Sequence, residues 1–158
     1  MEDAKTGFML SAIQLAREGM LRNQGGPFGA LVIKDGQIIG RGNNQVTSSN
    51  DPTAHAEIVA IRDACRHLNS FQLDDCLLFT SCEPCPMCLG AIYWARPSHV
   101  FYACTRHDAS QAGFDDSFIY EEIQADINDR KIPMTQLRRE DALRLFEEWK
   151  AKEDRVGY

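Results

Sequence analysis

Two short, distant segments place the strongest constraint on how this chain can fold. The first reads T-A-H-A-E and contains His55 and Glu57, and the second reads E-P-C-P-M-C and contains Cys85 and Cys88. An imidazole and two thiols are typical zinc ligands, and a zinc ion held by all three requires the segments to meet. The sequence therefore predicts a metal centre at which two distant parts of the chain converge.

Each segment is predicted to begin a helix. A helix opening at Thr53 would put His55 and Glu57 in its first turn, where they point in different directions. A proline stands on either side of Cys85, and proline is favoured at helix starts. Cys85 and Cys88 would then share one face near a helix N-terminus, whose partial positive charge favours thiolates.

The ligand set indicates a catalytic zinc. Three protein ligands, His55, Cys85 and Cys88, leave a fourth tetrahedral position for water, whose pKa zinc lowers towards about 7. Glu57 would take a proton from the water, pass it to a ring nitrogen and later protonate a departing amine. The pattern H-x-E … P-C-x-x-C is the general signature of zinc nucleobase deaminases, so the predicted chemistry is hydrolytic deamination.

The other cysteines leave alternatives open. Cys82 forms a second C-x-x-C pair, so Cys82, Cys85, Cys88 and His55 would also suit a structural site, which leaves Glu57 without a role. In a metal-free protein, His55 would be an ordinary residue at a helix start. Cys82 is expected to be buried or to flank the site. Three more cysteines lie in apolar patterns and are predicted core residues: Cys65, Cys76 and Cys104.

Length and composition are those of a single domain spanning residues 1–158, with 44% hydrophobic and 25% charged residues. No apolar run approaches the roughly 18 residues of a membrane span, and the N-terminus lacks a secretory signal, so we expect a cytoplasmic protein with no membrane partner. The net charge is −6 and basic residues are scattered, which weakens a nucleic-acid-binding hypothesis without excluding it.

Apolar periodicity predicts alternating helices and strands. The expected helices are 4–20, 53–68, 84–95, 115–127 and 140–152. The expected strands are 28–34, 37–41, 76–80, 100–104 and 132–137, with Asp35-Gly36 as a hairpin turn between the first two. The alternation favours an α/β layered domain with helices on both faces of a mixed sheet.

These motifs resemble the cytidine-deaminase-like superfamily and, within it, the small zinc-type guanine deaminases of bacteria. The resemblance runs nearly end to end and includes G-G-P-F-G-A (25–30), S-N-D-P-T-A-H-A-E (49–57), Q-L-D-D-C (72–76), the block T-S-C-E-P-C-P-M-C-L-G-A-I-Y-W-A-R-P (80–97) and A-G-F-D-D-S-F-I-Y (112–120). The first and fourth stretches partly recur in tRNA adenosine deaminases, whereas S-C-E-P-C-P-M-C and G-F-D-D-S-F are more specific to the guanine type.

The resemblance implies a three-layer α/β/α sandwich around a five-stranded mixed sheet. It implies hydrolysis of guanine to xanthine and ammonia, a step of purine catabolism. The family's zinc ligands fall on His55, Cys85 and Cys88, and its proton-shuttling glutamate falls on Glu57. Cys2His ligation favours Zn2+, although iron or cobalt would also suit such a site.

The family's substrate-binding residues fall on Asn44, Asp116, Phe28 and Trp94. An asparagine both donates and accepts hydrogen bonds, which suits a mixed base edge, whereas Asp116 only accepts them. Phe28 offers a stacking face for a planar base. The alternatives are turn formation for Asn44 and helix N-capping for Asp116, although Asp115 is the better cap candidate.

The guanine type further implies a homodimer in which a C-terminal segment, about residues 140–158 here, is swapped onto the partner. The terminal Tyr158 would then close the partner's substrate site. The alternative is a frayed terminus, which is the usual fate of last residues.

Three other functions remain open from the sequence. A tRNA adenosine deaminase shares H-A-E and P-C-x-M-C, so the metal motifs do not discriminate against it. A free-base deaminase could act on another aminated heterocycle, such as cytosine or a triazine. A zinc-stabilised module without catalysis is the third, and it gives Glu57 no role.

Overall fold

A mixed sheet runs through the N-terminal part of the computed structural model, which describes residues 2–158. Within those residues the strands are β1 (Gly29–Lys34), β2 (Gln37–Asn43), β3 (Leu77–Cys82) and β4 (His99–Cys104). Their order is β2-β1-β3-β4. β1 is antiparallel to β2 and to β3, whereas β3 and β4 are parallel.

The helices alternate with these strands or follow them. They are α1 (Glu2–Leu21), α2 (Val46–Ser49), α3 (Ala56–Leu68), α4 (Pro86–Ala95), α5 (Arg106–Gln111), α6 (Ser117–Gln124) and α7 (Arg139–Ala151). The short helices α2 and α5 fall in segments for which the sequence predicts neither a helix nor a strand. No helix in the described part of the chain is both long and apolar enough to cross a membrane.

Successive residues of the central strands pack on opposite faces of the sheet. Leu31 and Ile33 of β1 form one buried cluster with Phe79 of β3 and Ala12 of α1. The intervening strand residues Ala30, Val32 and Leu78 join the alanines of α3 in a second cluster, with Ala56, Ala60 and Ala64 all fully buried. Because side chains alternate along a strand, this confirms the predicted mixed sheet with a helical layer on each face.

The start of α3 is held close against β2. A Cβ atom at Gly42 would lie 2.1 Å from the carbonyl oxygen of Ala56 and 2.5 Å from the nitrogen of Ala60. Only glycine permits that approach. The contact fixes where the first turn of α3, which carries Glu57, lies over the sheet.

The predicted hairpin is confirmed, whereas the prediction of a fifth strand is wrong. Asp35 and Gly36 have φ values of 50° and 74°, as a two-residue type I′ turn requires. Residues 132–137 are not a strand, and within the described residues the sheet has four strands, not five. Pro133 removes a ladder donor from this run, and Ile132 and Leu137 are 79% and 78% exposed.

The two helices that carry the metal-site residues begin later than predicted. α3 begins at Ala56 and not Thr53, because the Asp51 carboxylate accepts the Thr53 N–H (2.8 Å) and forms a separate turn. α4 begins at Pro86 and not at residue 84, because Pro86 disfavours the helical conformation at the residue before it, Cys85. His55 and Cys85 are therefore extended N-cap residues, not members of a first turn.

The chain forms two compact units, one ending at Asp116 and one comprising Ser117–Tyr158. The second contains α6 and α7, and its largest apolar side chains are exposed, including Leu145 and Phe146 at 64% each. The single 1–158 domain and the swapped C-terminal segment remain predictions.

Candidate active site

Three ligand atoms from two helix starts converge in the first unit. The Nδ1 atom of His55 lies 3.5 Å from the Sγ atom of Cys85 and 3.6 Å from that of Cys88. A tetrahedral zinc with ordinary Zn–N and Zn–S bonds would hold such atoms about 3.6 Å apart. The ligand atoms all lie within 4.8 Å of one another, so they fit zinc without rearrangement.

The electrostatics of the two thiols also suit a cation. The hydrogen bond with Cys88 lowers the pKa of Cys85 to about 4, and that with His55 lowers it further, although burial opposes the shift. The same bond to Cys85, together with burial, raises the pKa of Cys88. His55 has a raised pKa, first because it bonds to Cys85. Zinc binding would displace the protons of these three side chains, so the ligands would be two thiolates and a neutral imidazole.

Glu57 stands beside this ligand set. Its side chain is buried (6% exposed), and its Oε2 atom lies 3.5 Å from the Cys88 sulfur. The Oε1 atom accepts a hydrogen bond from the Thr80 hydroxyl at 3.2 Å. Burial raises the pKa of Glu57, although its own backbone N–H opposes the shift. A carboxyl group with a raised pKa next to a zinc site is suited to proton transfer.

Asn44 is buried in the loop after β2, and its amide is oriented by the backbone. The Oδ1 atom accepts the N–H groups of Gly26 and Val46, each at 3.2 Å. The amide NH2 is therefore the group left to donate to a ligand. Oδ1 already accepts two hydrogen bonds inside the protein, and the contact of Asn44 with a mixed base edge stays a prediction. A Cβ atom at Gly25 would lie 2.2 Å from Oδ1, so the arrangement requires glycine there.

The Phe28 ring is half-buried and packs against a residue, Phe114, that the sequence analysis does not predict at the site. Phe114 meets it edge to face, with ring centroids 4.9 Å apart and planes at 85°. Both rings close over Gly26, where a Cβ atom would lie 3.1 Å from Phe28 and 3.2 Å from Phe114. Phe114 lies two residues before Asp116 in the segment G-F-D-D, and that position is the signal that could have indicated it.

Asp116, the last residue of the first unit, lies within electrostatic reach of the metal ligands. Its pKa is raised, first by burial and then by the charge of Cys85, whereas Arg106 opposes the shift. The carboxylate is half-buried. This placement supports its prediction as a hydrogen-bond acceptor near the metal.

The remaining predicted residues lie in different surroundings. Trp94 is on α4 and 62% exposed, and Tyr158 is in the second unit and 73% exposed. Their roles in substrate binding stay predictions.

Cys82 is buried, and its thiol donates to the carbonyl oxygen of Thr105 at 3.5 Å. Within the described residues the candidate metal group contains His55, Cys85 and Cys88 but not Cys82. Cys76 is buried and Cys65 half-buried, as expected of core residues, but Cys104 is exposed. That part of the prediction is wrong, because β4 is an edge strand.

Comparisons with known proteins agree with this geometry. Residues 2–104 match the family model of the cytidine and deoxycytidylate deaminase zinc-binding region. The chain is 59% identical over 143 residues to a guanine deaminase of Bacillus subtilis, covering 90% of this chain and 92% of that protein. A crystal structure of guanine deaminase from the same species superposes with a TM-score of 0.95 at 56% identity, covering 97% of this chain and 98% of that one.

A more distant similarity links the chain to RNA-editing enzymes. It is 43% identical to a tRNA-specific adenosine deaminase of Streptococcus pyogenes over 103 residues, which cover 65% of this chain and 64% of that protein. The similarity to guanine deaminase therefore extends over far more of the chain.

Proposed function

This chain belongs to the cytidine and deoxycytidylate deaminase zinc-binding family, and on that premise we propose that it hydrolyses guanine to xanthine and ammonia. One observation carries the proposal: His55, Cys85 and Cys88 form a zinc-sized ligand set with the Glu57 carboxylate beside it. The end-to-end similarity to a guanine deaminase supports the choice of substrate.

The reaction needs a nucleophile and a group that moves protons. Zinc in this ligand set makes water nucleophilic at neutral pH by lowering its pKa towards about 7. Glu57 accepts a proton from the attacking water and delivers it to the ring nitrogen beside the reacting carbon. It then carries the second proton to the departing amine, which leaves as ammonia. The raised pKa of Glu57 suits both directions of transfer.

Substrate choice follows from three groups with different chemistry. The Asn44 NH2 group donates to a ring nitrogen or carbonyl oxygen of the base, and Asp116 accepts from ring N–H or amino groups. The Phe28 ring, braced by Phe114, stacks on the planar base. A base that presents a donor to Asn44 or an acceptor to Asp116 leaves a buried polar group unpaired and is rejected.

A substrate panel tests the proposal. Purified protein is assayed by ultraviolet absorbance and ammonia release with guanine, adenine, cytosine, guanosine and tRNA. Xanthine from free guanine, lost with a zinc chelator and lost in Glu57→Gln, is the expected result. Inosine formed in tRNA without turnover of guanine would instead assign the protein to RNA editing. Zinc binding with no turnover of any substrate would point to a non-catalytic module.

We also propose a cytoplasmic homodimer in which residues 140–158 cross to the partner and Tyr158 closes the partner's site. The exposed apolar side chains of α7 support it, since Leu145, Phe146 and Trp149 are 64%, 64% and 42% exposed. The test mixes two chains that are each expected to be inactive. One is full-length Glu57→Gln, which supplies the C-terminal segment, and the other is a chain shortened before residue 140, which keeps Glu57. Restored turnover in the mixture is expected, and a monomer by light scattering with no restoration would refute the swap.

A further inference from the structure

Thr80 lies outside both metal-binding motifs, yet its hydroxyl contacts the proposed proton carrier. The side chain is 1% exposed, and Oγ1 donates to Oε1 of Glu57 at 3.2 Å. Both partners are buried, so no solvent competes for the bond. Leaving a buried carboxylate without its donor costs more free energy than an ordinary hydrogen bond contributes to stability.

The donor belongs to an interior strand that is paired on both sides. Thr80 lies in β3, between β1 and β4, where its register partners are Ala30 and Tyr102. Glu57, in contrast, reaches the site through a side chain whose last torsion is broad and lacks a single preferred well. A hydroxyl fixed on one carboxylate oxygen therefore helps to set the rotation of the group, beside the bond from the backbone N–H of Glu57 itself.

The two carboxylate oxygens of Glu57 have different neighbours. Oε1 faces Thr80, and Oε2 lies 3.5 Å from the Cys88 sulfur, on the side of the metal ligands. Oε2 accepts from the Cys88 thiol, and that bond is lost when Cys88 is a thiolate, so Oε2 is then the oxygen left to take up a proton while Thr80 occupies Oε1. Rotation of the carboxylate would move Oε2 away from the ligand set.

We propose that Thr80 is a positioning residue that anchors Oε1 of Glu57 and so presents Oε2 as the oxygen that carries the proton. This inference rests on the proposed deamination, in which Glu57 moves protons. It assigns Thr80 no contact with the base, so its effect falls on the chemical step and not on substrate binding.

Two matched substitutions test the inference. Thr80→Val keeps the shape and removes the hydroxyl, whereas Thr80→Ser keeps the hydroxyl and removes a methyl group. We expect Thr80→Val to lower kcat for guanine about 10- to 100-fold, as when a hydrogen bond to a buried carboxylate is lost, with KM and zinc content unchanged. Thr80→Ser should restore most of kcat. A purely structural role would instead lower the melting temperature in both variants and leave kcat unchanged.

The outcomes separate this inference from the proposed function. Glu57→Gln is assayed in parallel, and full guanine turnover in that variant would refute the role of Glu57 itself. Inactive Glu57→Gln together with wild-type kcat in Thr80→Val would refute only the role of Thr80. If Thr80→Val does not fold, Thr80→Ala is judged by the same kcat criterion. Equal loss of kcat in the Ser and Val variants would also overturn the proposal.

Discussion

The metal centre and the proposed base-recognition region of the first unit are built in different ways. The ligands and Glu57 lie at the starts of α3 and α4, which pack against the sheet, and all of them fall within the 2–104 region matched by the family model. The recognition groups lie in loops: Asn44 follows β2, and Phe114 and Asp116 follow α5. Those last two residues lie beyond the matched region.

The contrast teaches where chemistry and specificity reside. A hydrolytic centre needs fixed distances between ligand atoms, which rigid helix starts on a sheet provide. Substrate choice depends on a few polar groups whose loops can change without disturbing that centre. Members of this family that act on different bases can therefore share the metal centre and differ around positions such as Asp116.

The largest expected effect comes from removing a metal ligand. Cys88→Ser should lose zinc and all measurable guanine turnover, because serine is a poor zinc ligand at neutral pH. Metal content by mass spectrometry and kcat are the measurements. Cys82→Ser is the matched control, since its thiol bonds to Thr105 and should keep the zinc. Zinc loss in Cys82→Ser but not in Cys88→Ser would favour a different ligand set.

An intermediate effect is expected in the recognition region. Asp116→Asn replaces an acceptor by a group that also donates, so one contact to the base becomes repulsive. We expect kcat/KM for guanine to fall about 10- to 1,000-fold, as when one buried hydrogen-bond partner is lost. Zinc content and melting temperature should not change. Asp115→Asn, the neighbouring carboxylate, is the control, and wild-type kcat/KM in Asp116→Asn would remove this residue from the site.

The regular elements near the metal could be predicted from the sequence, because apolar periodicity and turn residues act locally. The hairpin at Asp35-Gly36 and the helix that ends at Leu68 are examples. The exact start of that helix could not be predicted, since it depends on the bond from Thr53 to Asp51. The residue types at the metal site indicated the ligand set. No local pattern revealed Thr80, because its partner Glu57 lies 23 residues away.

The same limit applied to Asn44. Its residue type allows donation and acceptance, and only the folded loop shows that Gly26 and Val46 use the oxygen. The ring pair of Phe28 and Phe114 likewise joins residues far apart in the chain. The recognition region is thus less predictable than the metal centre, because tertiary contacts decide which atoms are left for a ligand.

The smallest expected effect tests that orientation of Asn44. In Gly25→Ala the new Cβ atom would lie 2.2 Å from Oδ1 and 2.5 Å from the backbone carbonyl oxygen of Asn44, so the amide must turn, the loop must shift, and the bond to Gly26 is lost. We expect KM for guanine to rise about tenfold, the equivalent of about 1.4 kcal/mol, while kcat changes little. Steady-state kinetics over a range of guanine concentrations measures both.

Gly7→Ala is the matched control for this substitution. Gly7 lies in α1 with no atom within 4 Å of an added Cβ, so alanine should raise the free energy of unfolding by about 0.5–1 kcal/mol and leave KM unchanged. A wild-type KM in Gly25→Ala would mean that the amide does not need its backbone bonds to bind guanine. The recognition region would then be as tolerant of substitution as any exposed loop, and specificity would rest on Asp116 and the aromatic pair.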